Sequence, residues 1–398
     1  MHSNGGPKAR RFAFLHMLKP RAALNTPLAA AAIVAILYGV FIAALWNARG
    51  RDISRFVVAG EAGVDRDQIP EGLTVLPNST GYDGLAFYRF ALNPFTGQKV
   101  EFGISIDTPS YRHQRIGYPL LVWLITGGKP LLVPWALVLV NYAALIALGW
   151  AGAVLSQHSG RHALWAVLIP LYPGFVHSVS RDLSEPVACA FGLLALVSLA
   201  KRRYALAAAF LSYAVLTRET LLVLAIGIAV AWVWSRPQHL PRIVFVAPLA
   251  VYGLWQIVLT LHWGISPLQA GAQDLTLPFT GYARVLYESR SFRRLHRLHF
   301  SQALYLGIVA ILTLLSWRKP RIAPLFGSRI AWLGYLALAS TLPHAIWDED
   351  VGYMRILGDL MVLSATFLLA ASVRLRAVWL VCTGVVWYYL AAHLVEYS

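Results

Sequence analysis

The sequence has 398 residues, of which 58% are hydrophobic and only 13% carry a charge. Soluble globular proteins average about 25% charged residues, so a water-soluble fold of this length could not bury so much apolar surface. A bilayer can accommodate it, because about 20 apolar residues span the hydrocarbon core. The composition therefore indicates one membrane domain.

The net charge of +16 does not indicate a nucleic-acid partner. Of the 34 Lys and Arg residues, 17 lie in six short segments that contain none of the 18 Asp and Glu residues. These segments are residues 8–21, 161, 201–203, 236–242, 318–329 and 374–376. Short basic loops between apolar stretches are typical of the cytoplasmic side of a membrane protein. We therefore expect the basic N-terminus, residues 1–26, to be cytoplasmic.

Residues 27–46 form the first apolar stretch, which we predict to be an uncleaved transmembrane helix. Further apolar stretches follow between residues 117 and 395. The stretch 117–127 is too short to span a bilayer alone, and we expect a partial or re-entrant segment there. The sequence thus predicts an all-α, polytopic transmembrane domain over residues 27–398, with about 11 crossings and a range of about 10–13.

Two long polar segments, residues 47–116 and 263–299, are predicted to be extracytoplasmic loops. Loops of this length are usually functional or disordered. The first mixes aromatic with charged residues, so we expect it to be ordered and partly helical. In the second, residues 286–299 combine four arginines with apolar residues. This pattern indicates an interfacial helix that binds lipid phosphates or simply lies on the headgroups.

Candidate functional residues begin in the first loop. Asp83 lies between small and aromatic residues, where it is either a functional carboxylate or a turn residue or helix cap before an amphipathic helix. Arg112 and Arg115 are three positions apart, so a helix would place both on one face. Two guanidinium groups at a membrane interface suit a phosphate, which arginine binds through paired hydrogen bonds. Snorkelling at a helix end is the alternative.

A second group of charges lies at predicted outer helix ends. Asp182 and Glu185 are three positions apart and are expected to share a helical face, while Arg218 and Glu219 are adjacent. Charges at membrane depth usually line a cavity or pair with one another. A purely structural Arg218–Glu185 pair, or an Arg181–Glu219 pair, is the alternative to a catalytic role.

The last candidate region, residues 344–355, is also expected to face outward and ends in Arg355. Asp359 follows four positions later, so an intrahelical ion pair between the two is the simplest interpretation. The two cysteines, Cys189 and Cys382, lie in apolar stretches and indicate neither a disulfide framework nor a metal site.

Common nucleotide, phosphate and metal motifs are absent from the sequence. It contains no GxGxxG, Walker loop, HExxH or CxxC pattern. If the protein is a transferase, its donor is therefore not expected to be a nucleotide held in a soluble domain.

The motifs between residues 80 and 220 resemble a known family. Tyr82-Asp83-Gly84, followed by Phe87-Tyr88 and Ala91, is similar to the WDG-x-x-Y-x-x-I-A pattern of the mannosyltransferases of GPI-anchor synthesis and their bacterial relatives, with Tyr82 in place of Trp. The run from Tyr111 to Pro119 resembles the aromatic-proline segment that follows in those relatives. The segments 181–186 and 217–219 also look like the bacterial members. In its order of motifs and loops, the chain resembles the GT-C superfamily of membrane glycosyltransferases.

This resemblance implies a polyprenyl-phosphate-linked sugar as donor and a mannosyltransferase-like transfer of a hexose to a glycan, lipid or protein acceptor. It also implies that the reaction takes place on the extracytoplasmic side of a membrane, here expected to be a bacterial inner membrane. Asp83 matches the family's acidic residue and would act as general base toward the acceptor hydroxyl.

The resemblance assigns the other charged residues to supporting roles. Four arginines would stabilise the leaving lipid phosphate: Arg112, Arg115, Arg218 and Arg355. Three acids would hold an arginine or a divalent cation such as Mg²⁺ or Mn²⁺: Asp182, Glu185 and Glu219. Some relatives need a metal ion and others do not.

Two other membrane functions stay open on the sequence. A transporter or flippase of lipid-linked sugars often has inverted repeats and polar groups near the bilayer midplane. No repeat is visible here, and the acids lie toward one face. A polymerase or ligase of lipid-linked sugars also has outward-facing arginines, but its large outer loop usually comes late in the chain.

Overall fold

The computed structural model describes residues 24–237, 239–271, 276–289, 294–317, 326–348 and 352–396. Several sequence predictions fall outside these ranges. They concern most of the basic N-terminus, the basic residues 318–321, the acids Glu349 and Asp350, and Arg290 and Arg293 of the interfacial helix.

The described chain is mostly helical, and its α-helices are numbered in chain order. They are α1 (Pro27–Ala48), α2 (Gly84–Leu92), α3 (Pro109–His113), α4 (Gly117–Thr126), α5 (Val133–His158), α6 (Pro173–Val179), α7 (Glu185–Ala200), α8 (Tyr204–Thr217), α9 (Leu222–Ser235), α10 (Ile243–Trp263), α11 (Pro267–Ala270), α12 (Thr280–Glu288), α13 (Arg294–Ser316), α14 (Ser328–Ser340), α15 (His344–Asp348), α16 (Gly352–Ile356), α17 (Gly358–Ala370) and α18 (Val373–Glu396).

Five of these helices are long and apolar enough to cross a membrane, judged by length and composition. They are α1, α5, α10, and the segments Arg297–Ser316 of α13 and Val373–Ala392 of α18. Several shorter apolar helices of 10–17 residues accompany them. The prediction of a helical membrane protein is thus supported, while the count of about 11 crossings stays a prediction. The predicted short segment at 117–127 is α4, which at about 1.5 Å per residue is too short to span a bilayer.

The helices pack into one bundle, with α1 against α5, α7 between α5 and α8, α10 against α8, α14 against α9, and α18 against α13. Tyr118 and Asn141 illustrate how polar groups pair inside the bundle. The Tyr118 hydroxyl donates to the carbonyl oxygen of Leu137 at 2.9 Å and accepts from the Asn141 amide at 2.8 Å. Such pairing is needed because an unpaired polar group costs free energy in an apolar interior.

The first long loop is ordered and partly helical, as the sequence predicts. It contains α2, α3 and two small sheets. Strands β1 (Ala59–Gly60) and β2 (Val75–Leu76) pair in parallel, and strands β3 (Val100–Glu101) and β4 (Ile104–Ser105) pair in antiparallel fashion. These strands are short additions to an otherwise helical fold.

Two glycines bring the sequence motifs together at one end of the bundle. A Cβ atom on Gly84, at the start of α2, would lie only 2.3 Å from the carbonyl oxygen of Arg181 and 2.6 Å from that of Val57. A Cβ atom on Gly117, at the start of α4, would lie 2.3 Å from the Thr217 hydroxyl oxygen. Helix α2 therefore rests on the backbone just before α7, and α4 rests on the end of α8.

Candidate active site

Asp83 occupies the N-cap position of α2, but its side chain makes no capping hydrogen bond. Its carboxylate instead accepts hydrogen bonds from two arginines. Nη1 of Arg355 lies 3.0 Å from Oδ2, and Nη1 of Arg112 donates to Oδ1. The interpretation of Asp83 as a simple cap is therefore not supported, because both carboxylate oxygens are used elsewhere.

An ion-pair chain continues from Asp83 into the bundle. Nη1 of Arg355 also lies 3.3 Å from Oε1 of Glu185, and the same oxygen is 2.6 Å from Nη1 of Arg218. Nε of Arg218 lies 3.9 Å from Oδ2 of Asp359. The chain thus links Asp83, Arg355, Glu185, Arg218 and Asp359, contributed by α2, α16, α7, the residue after α8, and α17.

The two ends of this chain differ in exposure. The Glu185 and Arg218 side chains are each 3% exposed, whereas Asp83 is 15% and Arg112 25% exposed. Asp83 and Arg112 are thus more exposed than the buried pair of Glu185 and Arg218. A reacting group could therefore meet Asp83 and Arg112, while Arg218 and Glu185 are placed to hold Arg355.

A second ion pair lies beside this chain. Arg115 donates from Nε and Nη2 to the two carboxylate oxygens of Glu219, at 2.9 and 2.6 Å, and its Nη2 also donates to the Tyr111 hydroxyl at 3.0 Å. The Arg115 guanidinium also lies over the Tyr111 ring, with its carbon 5.1 Å from the ring centroid. Because its Nε and Nη2 both donate to Glu219, and Nη2 also to Tyr111, the Arg115 guanidinium is held in one orientation.

Arg112 and Arg115 do not share a helical face, contrary to the prediction. Helix α3 ends at His113, so Arg115 falls in the following turn. Arg112 bridges Asp83 and Asp107, with its Nε and Nη2 at 3.2 and 3.3 Å from the Asp107 carboxylate. Because α3 ends between them, the two arginines bind different carboxylates.

Asp182 does not join Glu185 on one helical face either, because α7 begins only at Glu185. Asp182 adopts a left-handed backbone conformation with φ of 49° and is fully buried. Among the described residues, neither of its carboxyl oxygens has a hydrogen-bond partner. Burial raises the pKa of Asp182 well above its usual value, although the positive charge of Arg49 opposes this. Asp182 is therefore separate from the ion-pair chain.

The pKa of Asp83 is shifted in the opposite direction to that of Asp182. Burial alone would raise the pKa of the Asp83 carboxyl, but the charges of Arg355 and Arg112 outweigh it and hold the pKa well below its usual value. Asp83 is therefore a carboxylate at neutral pH. While both guanidinium groups remain bound to it, it is also a weak base.

Aromatic rings form one side of the site. The Tyr82 ring lies beneath two guanidinium groups, with its centroid 5.0 Å from Cζ of Arg355 and 5.3 Å from Cζ of Arg181. Tyr82 occupies the position where the resembled motif has tryptophan. Either ring can attract a cation to its face, so the replacement keeps this property.

Two alternatives drawn from the sequence are resolved by the contacts. The Arg218–Glu185 pair is present, so the structural interpretation of these two residues is supported. Glu219 pairs with Arg115. Asp359, expected as the partner of Arg355, accepts hydrogen bonds from the Thr220 hydroxyl and the Cys189 thiol and faces Arg218.

Three contributors to the site were not among the residues predicted to form it: Asp107, Asp359 and Tyr82. The sequence singles out Tyr82 only as part of the resembled motif, and Asp359 only as a possible partner of Arg355. Asp359 carried a usable signal, as an acid inside an apolar stretch is costly unless it pairs. Within the described ranges, no group of three or more His, Cys, Asp or Glu side chains is placed to hold a metal ion. The divalent cation stays a prediction.

Comparisons with family models, curated proteins and solved structures found no match to this chain.

Proposed function

We propose that this protein is a membrane glycosyltransferase that moves a sugar from a polyprenyl-phosphate donor to an acceptor on the extracytoplasmic side of the membrane. The observation that supports this most is the shared carboxylate of Asp83, which two arginines hold at the accessible end of a buried ion-pair chain. A transferase of this kind needs a carboxylate for the acceptor and cations for the leaving phosphate, and both are present within one cluster.

In the proposed reaction the acceptor hydroxyl attacks the anomeric carbon of the donor sugar from the side opposite the phosphate. A bond forms between the acceptor oxygen and that carbon, and the bond from the carbon to the phosphate oxygen breaks. The hydroxyl proton goes to Asp83, and polyprenyl phosphate leaves with the bonding electrons. One displacement of this kind inverts the anomeric configuration.

The ion pairs of Asp83 suggest that the donor binds first and that its binding then activates Asp83 as a base. Arginine binds phosphate through paired hydrogen bonds, so a donor phosphate arriving at Arg112 and Arg355 competes directly with the Asp83 carboxylate. As these guanidinium groups turn to the phosphate, the attraction that depresses the Asp83 pKa weakens. Donor binding would then make Asp83 a better base only when a leaving group is in place.

The remaining charges have a positioning role in this proposal. Glu185 holds Arg355 at 3.3 Å and Arg218 at 2.6 Å. Because Arg218 is buried behind Glu185, we assign it to orienting Arg355 through that carboxylate and not to direct phosphate contact. The Arg115–Glu219 pair fixes the chain between α3 and α4, next to Arg112.

The direct test is a transfer assay with purified protein and a panel of polyprenyl-phosphate sugars, which measures the release of polyprenyl phosphate. Asp83→Asn should lower turnover by about 10²–10⁴-fold, the usual contribution of a general base. The matched control is Glu61→Gln, since Glu61 is an exposed carboxylate of the same long loop that pairs with Arg66 outside the ion-pair chain. Donor turnover unchanged in Asp83→Asn would remove Asp83 from the mechanism. Transbilayer movement of the intact lipid-linked sugar without its cleavage would favour a flippase.

A further inference from the structure

A large cavity lies at the end of the bundle opposite the candidate active site. Its volume is about 710 Å³, and its lining includes Leu199, Ala200, Arg202 and Tyr204, where α7 ends and α8 begins. Helix α7 starts at Glu185 in the ion-pair chain and ends at Ala200 beside the cavity. With a rise of 1.5 Å per residue, its 16 residues separate the two places by about 24 Å. The cavity is therefore a different site.

Among the described residues, the charged side chains that line this cavity are all basic. They are Arg161, Arg202 and Arg329, accompanied by His158 and His239, and none of the lining residues is Asp or Glu. The active-site cluster, by contrast, balances its arginines with carboxylates. A concave surface of one charge sign attracts ions of the opposite sign, so the cavity suits an anion.

Three hydrogen-bond donors around the cavity have no partner among the described residues: the Ser328 hydroxyl, the Trp317 indole Nε1 and Nε of Arg161. Ser328 is only 1% exposed, so its hydroxyl is buried without compensation. Leaving a buried donor unpaired costs folding free energy. Donors of this kind next to basic side chains would be satisfied by the oxygens of a phosphate.

The cavity is also partly apolar, which favours a lipid over a soluble anion as its ligand. Leu315, Phe326, Phe367 and Leu375 share its wall with the basic groups. A free phosphate would leave that apolar surface without a partner, whereas a phospholipid would cover it with its glycerol backbone and acyl chains. Basic pockets between helix ends are suited to anionic lipid headgroups for the same reason.

We propose that this basic cavity binds the phosphate of an anionic phospholipid, whose acyl chains lie along the apolar wall. The arginines that line the cavity, Arg161, Arg202 and Arg329, belong to basic segments of the sequence, which by the positive-inside rule places the cavity toward the cytoplasmic leaflet. The site is independent of the glycosyltransferase proposal, because it uses none of the residues placed in the ion-pair chain.

The test is native mass spectrometry of the purified full-length protein titrated with phosphatidylglycerol and, separately, with phosphatidylcholine. Arg202→Gln should weaken phosphatidylglycerol binding about fivefold, the usual effect of one basic residue near a lipid surface. Arg203→Gln is the matched control, since Arg203 is the next residue in the chain and is likewise exposed, but does not line the cavity. It should leave binding unchanged.

A second variant, Ser328→Ala, keeps the chain's charge and removes only the unpaired hydroxyl. We expect about a twofold to tenfold loss of phosphatidylglycerol binding, the usual range for one hydrogen bond. Equal losses in Arg202→Gln and Arg203→Gln would overturn the proposal, as would equal affinity for phosphatidylcholine. Cavity-dependent binding of inorganic phosphate or adenosine diphosphate that phosphatidylglycerol does not displace would also overturn it, by showing a soluble ligand.

Discussion

The guanidinium group of Arg355 lies 3.0 Å from the carboxylate of Asp83, although 272 positions separate them in the chain. The same nitrogen is also 3.3 Å from Glu185. One arginine therefore connects the accessible carboxylate to the buried part of the ion-pair chain, and changes at this residue should affect both catalysis and the charge balance of the interior.

Arg355→Gln is expected to lower the rate of donor cleavage by about 10²–10³-fold, the usual effect of removing one preorganised donor from a developing negative charge. Turnover of the polyprenyl-phosphate sugar at saturating donor would measure this. The matched control is Arg66→Gln, which removes an exposed arginine that pairs with Glu61 in the first long loop. Equal activity in the two variants would contradict the role proposed for Arg355.

For the buried pair of Arg218 and Glu185, we expect the loss of one member to destabilise the protein more than the loss of both. Glu185→Gln leaves the Arg218 charge without its nearest partner at 2.6 Å, and removing one member of a buried pair costs about 3–5 kcal/mol. The double variant Arg218→Met with Glu185→Gln should recover part of this loss, because the Arg218 charge is no longer buried without its nearest partner. Recovery is incomplete, because Asp359 also loses Arg218. Thermal unfolding of the single and double variants in detergent measures the coupling. Additive losses would show that the pair does not act as a unit.

Gly84→Ala should destabilise the protein and reduce activity together. The new methyl group would lie 2.3 Å from the carbonyl oxygen of Arg181, so α2 and Asp83 must move away from the start of α7. A matched control is Gly253→Ala in α10, where a Cβ atom meets no other atom within 4 Å. We expect the control to keep its melting temperature, since alanine also has the higher helix propensity. A Gly84→Ala variant with native stability would show that the close approach is relaxed at no cost.

Asp83 and Asp182 should give opposite pH dependences of stability. The folded pKa of Asp83 is depressed, so its contribution is fully present above the unfolded value of about 3.9 and is lost as the pH falls through the folded pKa. The folded pKa of Asp182 is raised by burial, so its contribution is fully present below about pH 3.9 and is lost as the pH rises toward the folded pKa.

Melting curves of Asp83→Asn and Asp182→Asn between pH 4 and 8 would test whether the two carboxyl groups give opposite pH dependences of stability. Relative to the unaltered protein, Asp182→Asn should gain stability as the pH rises, whereas the deficit of Asp83→Asn should stay constant above about pH 5. Parallel curves for the two variants would contradict the assignment of opposite electrostatic environments.

Much of the site could be predicted from the sequence because its members stand out locally. Glu185, Arg218 and Arg355 each interrupt or border an apolar stretch, where a charge is costly unless it is paired, whereas Asp83 stands out through the motif that contains it. Their convergence follows from this cost, and the described contacts bring them into one ion-pair chain. The membrane class followed from composition in the same way.

The choice of partners could not be predicted, because it depends on where single helices begin and end. Arg112 and Arg115 bind different carboxylates because α3 ends at His113, between the two arginines. Asp182 lies outside the ion-pair chain because α7 begins only at Glu185. Periodicity alone assumes an unbroken helix across such positions, and helix ends differ from such assignments by one or two residues. A shift of that size decides which carboxylate an arginine meets.

The separation between Asp83 and Arg355 also orders events during synthesis. At about 5–20 residues per second, the ribosome makes Arg355 about 15–50 s after Asp83. Until then, the carboxylates of Asp83 and Glu185 lack a guanidinium group that both of them use in the finished protein. A chain truncated before residue 355 would keep Arg112 beside Asp83 and Arg218 beside Glu185, but it would lack the one cation that joins these two carboxylates.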